Sequence, residues 1–104
     1  MMKRLCGIVL VDAELELCYR CSVVCHSQNE AHVRALLLQT VSDGKMHLRS
    51  LQSEDLEISN KVEVEADLVT QERNDAFLER IVSRLSLEPE VSAVKWKIIE
   101  QEYG

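Results

Sequence analysis

Apolar and polar residues alternate in four segments of the chain, as they do in β-strands whose successive side chains point to opposite faces of a sheet. The four segments are Glu16–His26, Met46–Glu54, Lys61–Leu68 and Val94–Ile98. The alternation is clearest in the third segment, and in the second its phase changes near Ser50 and Leu51. Such a change predicts a bulge or a strand end within the second strand.

Two amphipathic helices are predicted between these strands. Ser27 and Glu30 have the spacing of a capping box and predict the start of the first helix. Asn74 or Thr70 is predicted to cap the second helix, which cannot continue through Pro89. The apolar stripes comprise Val33, Leu36, Leu37 and Val41 in the first helix and Phe77, Leu78, Ile81, Val82 and Leu85 in the second.

The resulting βαββαβ order predicts an α+β, two-layer sandwich of ferredoxin-like topology, with a four-stranded antiparallel sheet and two helices on one face. We expect the domain to span residues 14–101, after an N-terminal arm or tether (residues 1–13) and before a short C-terminal tail (residues 102–104). The opposite sheet face is expected to be charged. The residues expected under the helices are Cys21, Val23, Val64, Ala66, Trp96 and Ile98.

The chain of 104 residues is long enough for one compact core and too short for two. It has 18 acidic and 12 basic side chains, a formal net charge of -6, and so lacks the basic surface that nucleic-acid phosphates require. Nucleic acid is therefore not an expected partner. The apolar run Gly7–Val11 is far shorter than the ~20 residues that cross a bilayer.

The cysteines could form a zinc site or could be buried thiols. Cys18 and Cys21 have CxxC spacing, and Cys25 and His26 add two candidate ligands. In a strand, however, residues an odd number apart point to opposite faces, so Cys18 and Cys21 cannot share one zinc ion. We expect reduced thiols that pack as small hydrophobic side chains, and no cofactor.

Charged residues alternate onto the sheet face away from the helices. Glu63, Glu65 and Asp67 are spaced by roughly 6.6 Å along one strand, which permits a weak Mg²⁺ site that keeps several waters. The competing interpretation is an ion-paired face, because Arg20 and Arg49 are expected on the two neighbouring strands. The predicted interaction surface comprises Arg20, His47, Arg49, Lys95 and Lys97.

No arrangement of residues in the sequence predicts catalysis. Cys25 and His26 are adjacent in a strand and face opposite ways, while His32 and His47 belong to different elements. The chain contains only 3 glycines and no phosphate-cradling loop. We therefore expect a protein that is not an enzyme.

Four segments, in this order and spacing, resemble one known family: Tyr19–Cys25, Val33–Leu38, Leu48–Leu56 and Leu85–Trp96. The resemblance covers residues 15–101 and is to the C-terminal domain of the MgtC/SapB family of bacterial inner-membrane proteins. In that family the domain resembles an ACT-type module attached to an N-terminal transmembrane domain on the cytoplasmic side. The resemblance implies that the chain is a C-terminal piece of such a protein.

The resemblance further implies a non-catalytic regulatory or interaction domain of a protein involved in adaptation to low magnesium and, in pathogens, in survival inside macrophages. Its own transmembrane domain, a second copy and another membrane protein are the expected partners. The alternative is a sensor of Mg²⁺ or of a small metabolite. Amino-acid-binding ACT domains resemble one another in an Asp-x-Pro-Gly-like turn where this chain has His26–Asn29, and this difference favours interaction.

Overall fold

A computed structural model describes residues 16–42, 44, 46–57 and 60–99 of the chain. The arm predicted over residues 1–13 and the tail predicted over residues 102–104 lie outside the described residues. The strands are β1 (Leu17–His26), β2 (His47–Asp55), β3 (Lys61–Thr70) and β4 (Val91–Ile99). The helices are α1 (Glu30–Ser42), which follows a 3₁₀ turn over Ser27–Asn29, and α2 (Asp75–Ser86).

The four strands form one antiparallel sheet in the order β2-β3-β1-β4. The two central strands, β1 and β3, are in register over their whole length, with Val23 opposite Val64. Both helices pack on one face of this sheet through their apolar stripes. The predicted α+β fold with βαββαβ order is therefore confirmed.

The two helices begin in different ways. At α2 the side chain of Asn74 accepts a hydrogen bond from the backbone amide of Phe77 at 3.3 Å, as predicted for the cap. Before α1 the predicted Ser27 cap is wrong, because Nδ1 of His26 accepts from the amide of Gln28 at 3.3 Å and caps the 3₁₀ turn. The backbone amide of Ser27 instead donates to the carbonyl of Asn60 at 2.8 Å, which ties this turn to the start of β3.

The predicted irregularity of β2 is confirmed. The register between β2 and β3 shifts between Leu48 and Ser50, so Arg49 lies in a bulge. Because the bulge inserts one extra residue, Arg49 and Ser50 both lie on the sheet face that His47 occupies, and the alternation continues in the opposite phase after them.

The core lies between the sheet and the two helices. It contains Tyr19, Cys21, Val23 and Cys25 of β1, alternate residues of β3 from Val62 to Leu68, and the apolar stripes of α1 and α2. Trp96 packs against this core while partly exposed, and its ring lies 5.6 Å from that of Tyr19 in an edge-on arrangement. The expectation that Ile98 is buried is wrong, since its side chain is 37% exposed. Ile98 belongs to an edge strand, which has a neighbouring strand on one side only.

Gly44 allows the chain to pass close to the second helix after α1 ends. A Cβ atom at this position would lie 2.4 Å from Cζ of the buried Phe77 ring, closer than two carbon atoms can approach. Gly44 therefore fits because it has no side chain. The backbone amide of Gly44 donates to the carbonyl of Val41 at 3.0 Å, which completes the turn.

Candidate interaction surface

The sheet face away from the helices, called here the open face, is assembled from the residues that alternate with the core. Neither α1 nor α2 packs on it. Strand register places the residues in rows across β2, β3, β1 and β4. Three successive rows are His47, Val69, Cys18 and Ile99; Ser50, Asp67, Arg20 and Lys97; and Gln52, Glu65, Ser22 and Lys95.

An ion pair occupies the centre of the open face. Nε and Nη2 of Arg20 donate to the two carboxylate oxygens of Asp67 at 2.9 and 3.1 Å. Glu65 lies farther away, with Oε1 at 3.9 Å from the same Nε. The guanidinium of Arg20 lowers the pKa of Asp67 below its ordinary value by hydrogen bonding to its charged form. The predicted pairing of Arg20 across β1 and β3 is thus confirmed.

Arg49 turns in another direction. Its Nη1 points to Sγ of Cys18 at 3.9 Å, so the guanidinium lies over β1. The thiol of Cys18 is only 1% exposed although it is on the open face. Burial raises the pKa of this thiol above its ordinary value, so it remains protonated at neutral pH.

The three cysteines that the structure describes lie on the two sides of the sheet, as predicted. Cys18 is on the open face, while Cys21 and Cys25 are in the core beneath the helices. All three are free thiols. Burial raises the pKa of Cys21 to about 12. These thiols pack as small apolar groups and are poor nucleophiles.

The carboxylates predicted to bind Mg²⁺, on Glu63, Glu65 and Asp67, all lie on the open face in alternate positions of β3. Both oxygens of Asp67 are engaged by Arg20. Within the described ranges, no group of three or more His, Cys, Asp or Glu side chains is arranged to hold a metal ion. Binding of Mg²⁺ here stays a prediction.

The five residues of the predicted interaction surface are brought to the same face. Arg20, Lys95 and Lys97 lie on β1 and β4, and His47 and Arg49 lie at the start of β2. In the part of the chain that the structure describes, neither Lys95 nor Lys97 has a carboxylate oxygen within 4 Å. Their charges are therefore available to a binding partner.

Two concave features could not be read from the sequence. A hollow of about 130 Å³ lies on the open face beside the nearly buried Ser22, between Glu65 and Lys95. A larger cleft of about 950 Å³ opens at the end of the sheet where β1 begins. Most of its wall is polar and includes Thr70–Asn74, His47 and Arg80. Only the order of the strands brings these segments together.

One edge of the sheet is formed by β2. Among the described strands its hydrogen-bonding partner is β3 alone, and most of its side chains are exposed. The outer backbone groups of an edge strand are available to pair with another strand. No helix in the described part of the chain combines the length and the apolar character needed to cross a membrane.

The order of the elements and the sheet, with one face that neither described helix covers, define a small ACT-like domain of ferredoxin-like topology. The ACT domain from GTP pyrophosphokinase of Chlorobium tepidum has a similar fold, with a TM-score of 0.61 at 9% identity over 80% of this chain and 88% of that one. The sequence profile of the MGTC/SAPB C-terminal domain matches residues 19–96, and the chain therefore belongs to this family.

Individual relatives agree with this assignment. The chain is 47% identical to the uncharacterized protein slr0014 of Synechocystis over 89% of its length, and 41% identical to protein MgtC of Brucella abortus over 83%. It is also similar to the solution structure of the C-terminal domain of MgtC from Mycobacterium tuberculosis, with a TM-score of 0.75 at 32% identity over 84% of this chain and 92% of that one. The chain spans 41% and 36% of the lengths of the two sequence relatives.

Proposed function

We propose that the chain is a non-catalytic regulatory domain of an MgtC-like membrane protein, and that it acts by binding another protein through its open face. The protein as a whole would serve adaptation to low magnesium and, in a pathogen, survival inside macrophages. The domain would lie on the cytoplasmic side of the inner membrane. Its partner there is its own membrane domain, a second copy or another membrane protein.

The observation that carries the proposal is the charged sheet face that neither described helix covers. A sheet face that neither helix covers has room for a flat partner surface. The free ammonium groups of Lys95 and Lys97 favour a partner that presents negative charge there. The exposed edge of β2 adds backbone groups that another strand could pair with. These features suit recognition of a protein surface.

The chemistry of the described side chains supports a role without catalysis. Nδ1 of His26 is occupied by a backbone amide, and Nε2 of His32 lies 3.0 Å from Glu88 on the surface. The buried thiols have raised pKa values and remain protonated. None of these groups combines a nucleophile, a base and an open pocket.

A ligand-sensing role is the second candidate, and the cleft of about 950 Å³ favours it. The cleft has the volume of a small-molecule site. Its wall is mainly polar, and nearly half of the lining residues belong to the end of β3 and the connection that follows it (Thr70–Asn74). Occupancy by a metabolite would be transmitted along β1 and β2, which begin at the cleft, and along β3, which ends there.

The test uses the full-length protein in a bacterium that lacks its own copy, with growth measured in limiting Mg²⁺. We expect slower growth both without this domain and with Lys95→Glu/Lys97→Glu on the open face, at unchanged protein levels. The control is Arg84→Glu, which reverses a charge on the exposed side of α2, away from both the open face and the cleft. Normal growth without the domain would refute the proposal.

A further inference from the structure

The hydroxyl of Ser22 is a buried polar group that lines the hollow on the open face. Ser22 is only 6% exposed. Because β1 is a central strand, β3 and β4 pair with its backbone on both sides, and Oγ is the remaining polar atom of this residue. Among the residues that the structure describes, Oγ of Ser22 forms no hydrogen bond. Buried hydroxyls normally have a partner, so the hollow is a place where a polar group of another molecule would be bound.

The two sides of the hollow differ in charge. Lys95 of β4 and Glu65 of β3 are the direct neighbours of Ser22 in its row, roughly 10 Å apart at the usual spacing of strands. Lys97 adds a second ammonium group on the β4 side, and Glu63 adds a second carboxylate on the β3 side. None of these four described side chains forms an ion pair with another across the hollow. Hydrogen-bond donors therefore face acceptors across an open space.

The size of the hollow restricts what it can bind. Its volume of about 130 Å³ exceeds the ~30 Å³ that one water molecule occupies in the liquid. It is well below the ~300 Å³ of the smaller sites that take metabolites. The hollow therefore fits the end of a single side chain.

A charged group would meet an unfavourable side of this hollow. A carboxylate beside Lys95 would face the carboxylate of Glu65, and a cation beside Glu65 would face the ammonium group of Lys95. A carboxamide is neutral and has an acceptor oxygen next to a donor nitrogen. With the oxygen toward Lys95 and the nitrogen toward Glu65, it matches both sides. The hydroxyl of Ser22 can then donate to the oxygen or accept from the nitrogen.

We propose that the hollow beside Ser22 binds the carboxamide of an asparagine or glutamine side chain on the protein that the open face recognises. The proposal rests on the proposed interaction function and specifies one type of residue in the partner. A site whose polar groups match one ligand leaves some of them unpaired with any other, and this difference gives the selectivity. Lys97, one row away, remains available to a negative charge on the same partner.

The experiment uses three small planar probes of similar shape: acetamide, acetate and acetamidinium. Each is added at constant ionic strength to the ¹⁵N-labelled 104-residue chain, and the backbone amide signals are followed by NMR. With acetamide we expect saturable shifts centred on Ser22, with a dissociation constant on the order of 10–100 mM, as befits a probe of about four heavy atoms. Acetate and acetamidinium should bind at least about tenfold more weakly.

Variants of the two flanking residues should change the preferred probe. Lys95→Glu places acceptors on both sides of Ser22 and should favour acetamidinium, whereas Glu65→Lys places donors on both sides and should favour acetate. The exchange Lys95→Glu/Glu65→Lys restores one side of each kind, so acetamide should bind again in the reversed orientation. Ser22→Val removes the hydroxyl and fills the hollow, and it should abolish binding. Arg84→Glu, on the exposed side of α2, is the control and should bind acetamide as the parent does.

Circular dichroism should show each variant folded. Shifts that do not saturate in the parent, acetate or acetamidinium bound as tightly as acetamide, or unchanged binding in Ser22→Val would each overturn the proposal. Free glycine, which has both full charges, is the competing probe. Tighter binding of glycine than of acetamide would also overturn the proposal, because the hollow would then take a free amino acid.

The outcome is distinguishable from that of the growth test. If acetamide does not bind but Lys95→Glu/Lys97→Glu slows growth, the open face still has a protein partner and only the carboxamide site is refuted. If acetamide binds as expected but growth is normal without the domain, the proposed function fails while the site remains.

Discussion

The hydroxyl of Tyr19 donates a hydrogen bond to Oδ1 of Asp75 at 2.7 Å across 56 residues of sequence. The same hydroxyl accepts from the backbone amide of Asn74 at 2.9 Å. Since Asn74 caps α2, this one side chain of β1 fixes the position at which the second helix begins. The ring of Tyr19 is buried, and burial raises the pKa of its hydroxyl.

Removal of this hydroxyl should loosen the start of α2. Tyr19→Phe keeps the buried ring and leaves the amide of Asn74 without its partner, so we expect the free energy of unfolding to fall by about 1–2 kcal/mol. Urea denaturation measures the change. Ser83→Ala, at an exposed position of α2, is the control and should change stability by less than about 0.5 kcal/mol. Equal stability of Tyr19→Phe and the parent would contradict the assignment.

Acid should weaken the sheet through Asp67. Its pKa is lowered in the folded protein by hydrogen bonding from Arg20, so folding favours the charged carboxylate. The resulting stabilisation is present above the ordinary pKa of 3.8 and is lost as pH falls through the lowered folded value. Because Arg20 is one-third exposed, we expect only about 0.5–1 kcal/mol from this source.

The measurement compares urea unfolding at pH 7 and pH 3. Asp67→Asn should be less stable than the parent at pH 7 and should lose less stability on acidification. Glu65→Gln is the matched control, since its carboxylate is 3.9 Å from Arg20 and contributes less. If the parent and Asp67→Asn lose the same stability between pH 7 and pH 3, the ion pair is not the cause of the acid sensitivity.

A methyl group at position 44 should be poorly tolerated. In Gly44→Ala the new Cβ meets the buried ring of Phe77, and we expect a loss of about 1–3 kcal/mol in stability. The smaller side chain in Phe77→Leu should relieve this clash. The free energy of unfolding of the double variant should therefore be higher than the value obtained by adding the losses of the two single variants. If the two losses simply add, the Phe77 ring is not the cause of the destabilisation.

The thiols should resist modification in the folded chain. Cys18, Cys21 and Cys25 are buried and protonated. In a Cys6→Ser variant we therefore expect these three thiols to react slowly with a disulfide reagent at neutral pH. In denaturant all three should react completely. The raised pKa of Cys21 also means that its stabilising effect is complete below pH 9 and is lost as pH rises toward about 12. Rapid reaction of one thiol before unfolding would contradict this burial.

Magnesium should leave the acidic strand unchanged if the domain acts by protein binding. Asp67 is already bound to Arg20, so we expect no saturable shifts at Glu63, Glu65 or Asp67 when the ¹⁵N-labelled chain is titrated with millimolar Mg²⁺. The control is Glu65→Gln in the same titration. Saturable shifts that disappear in Glu65→Gln would support a metal sensor instead.

Much of the fold could be predicted because local and long-range preferences agree. The alternation of β3 survives in the structure without change, and Asn74 caps α2 because its short side chain reaches an amide two or three residues ahead. A pairing of Arg20 with the acidic residues of β3 followed from strand order, and the register, which places Asp67 directly opposite Arg20, determines the partner.

Other features depend on contacts that no local pattern contains. His26 caps the turn before α1 where the sequence favoured Ser27, whose amide is drawn to the carbonyl of Asn60. The bulge turns Arg49 toward Cys18 and away from the carboxylates of β3, and the cleft is formed by segments far apart in sequence. Alternation also could not distinguish the edge position of Ile98 from a central one.

The first and last strands of the domain are antiparallel neighbours, so Cys18 at the start of β1 lies opposite Ile99 at the end of β4. A force that pulls these two ends apart would act on one backbone pair at a time, so the hydrogen bonds between β1 and β4 would break one after another. Each such hydrogen bond contributes only about 1 kcal/mol net, so a small force would suffice. β4 would then peel away while β1 remained held by β3, which makes this edge the mechanically weak part of the sheet.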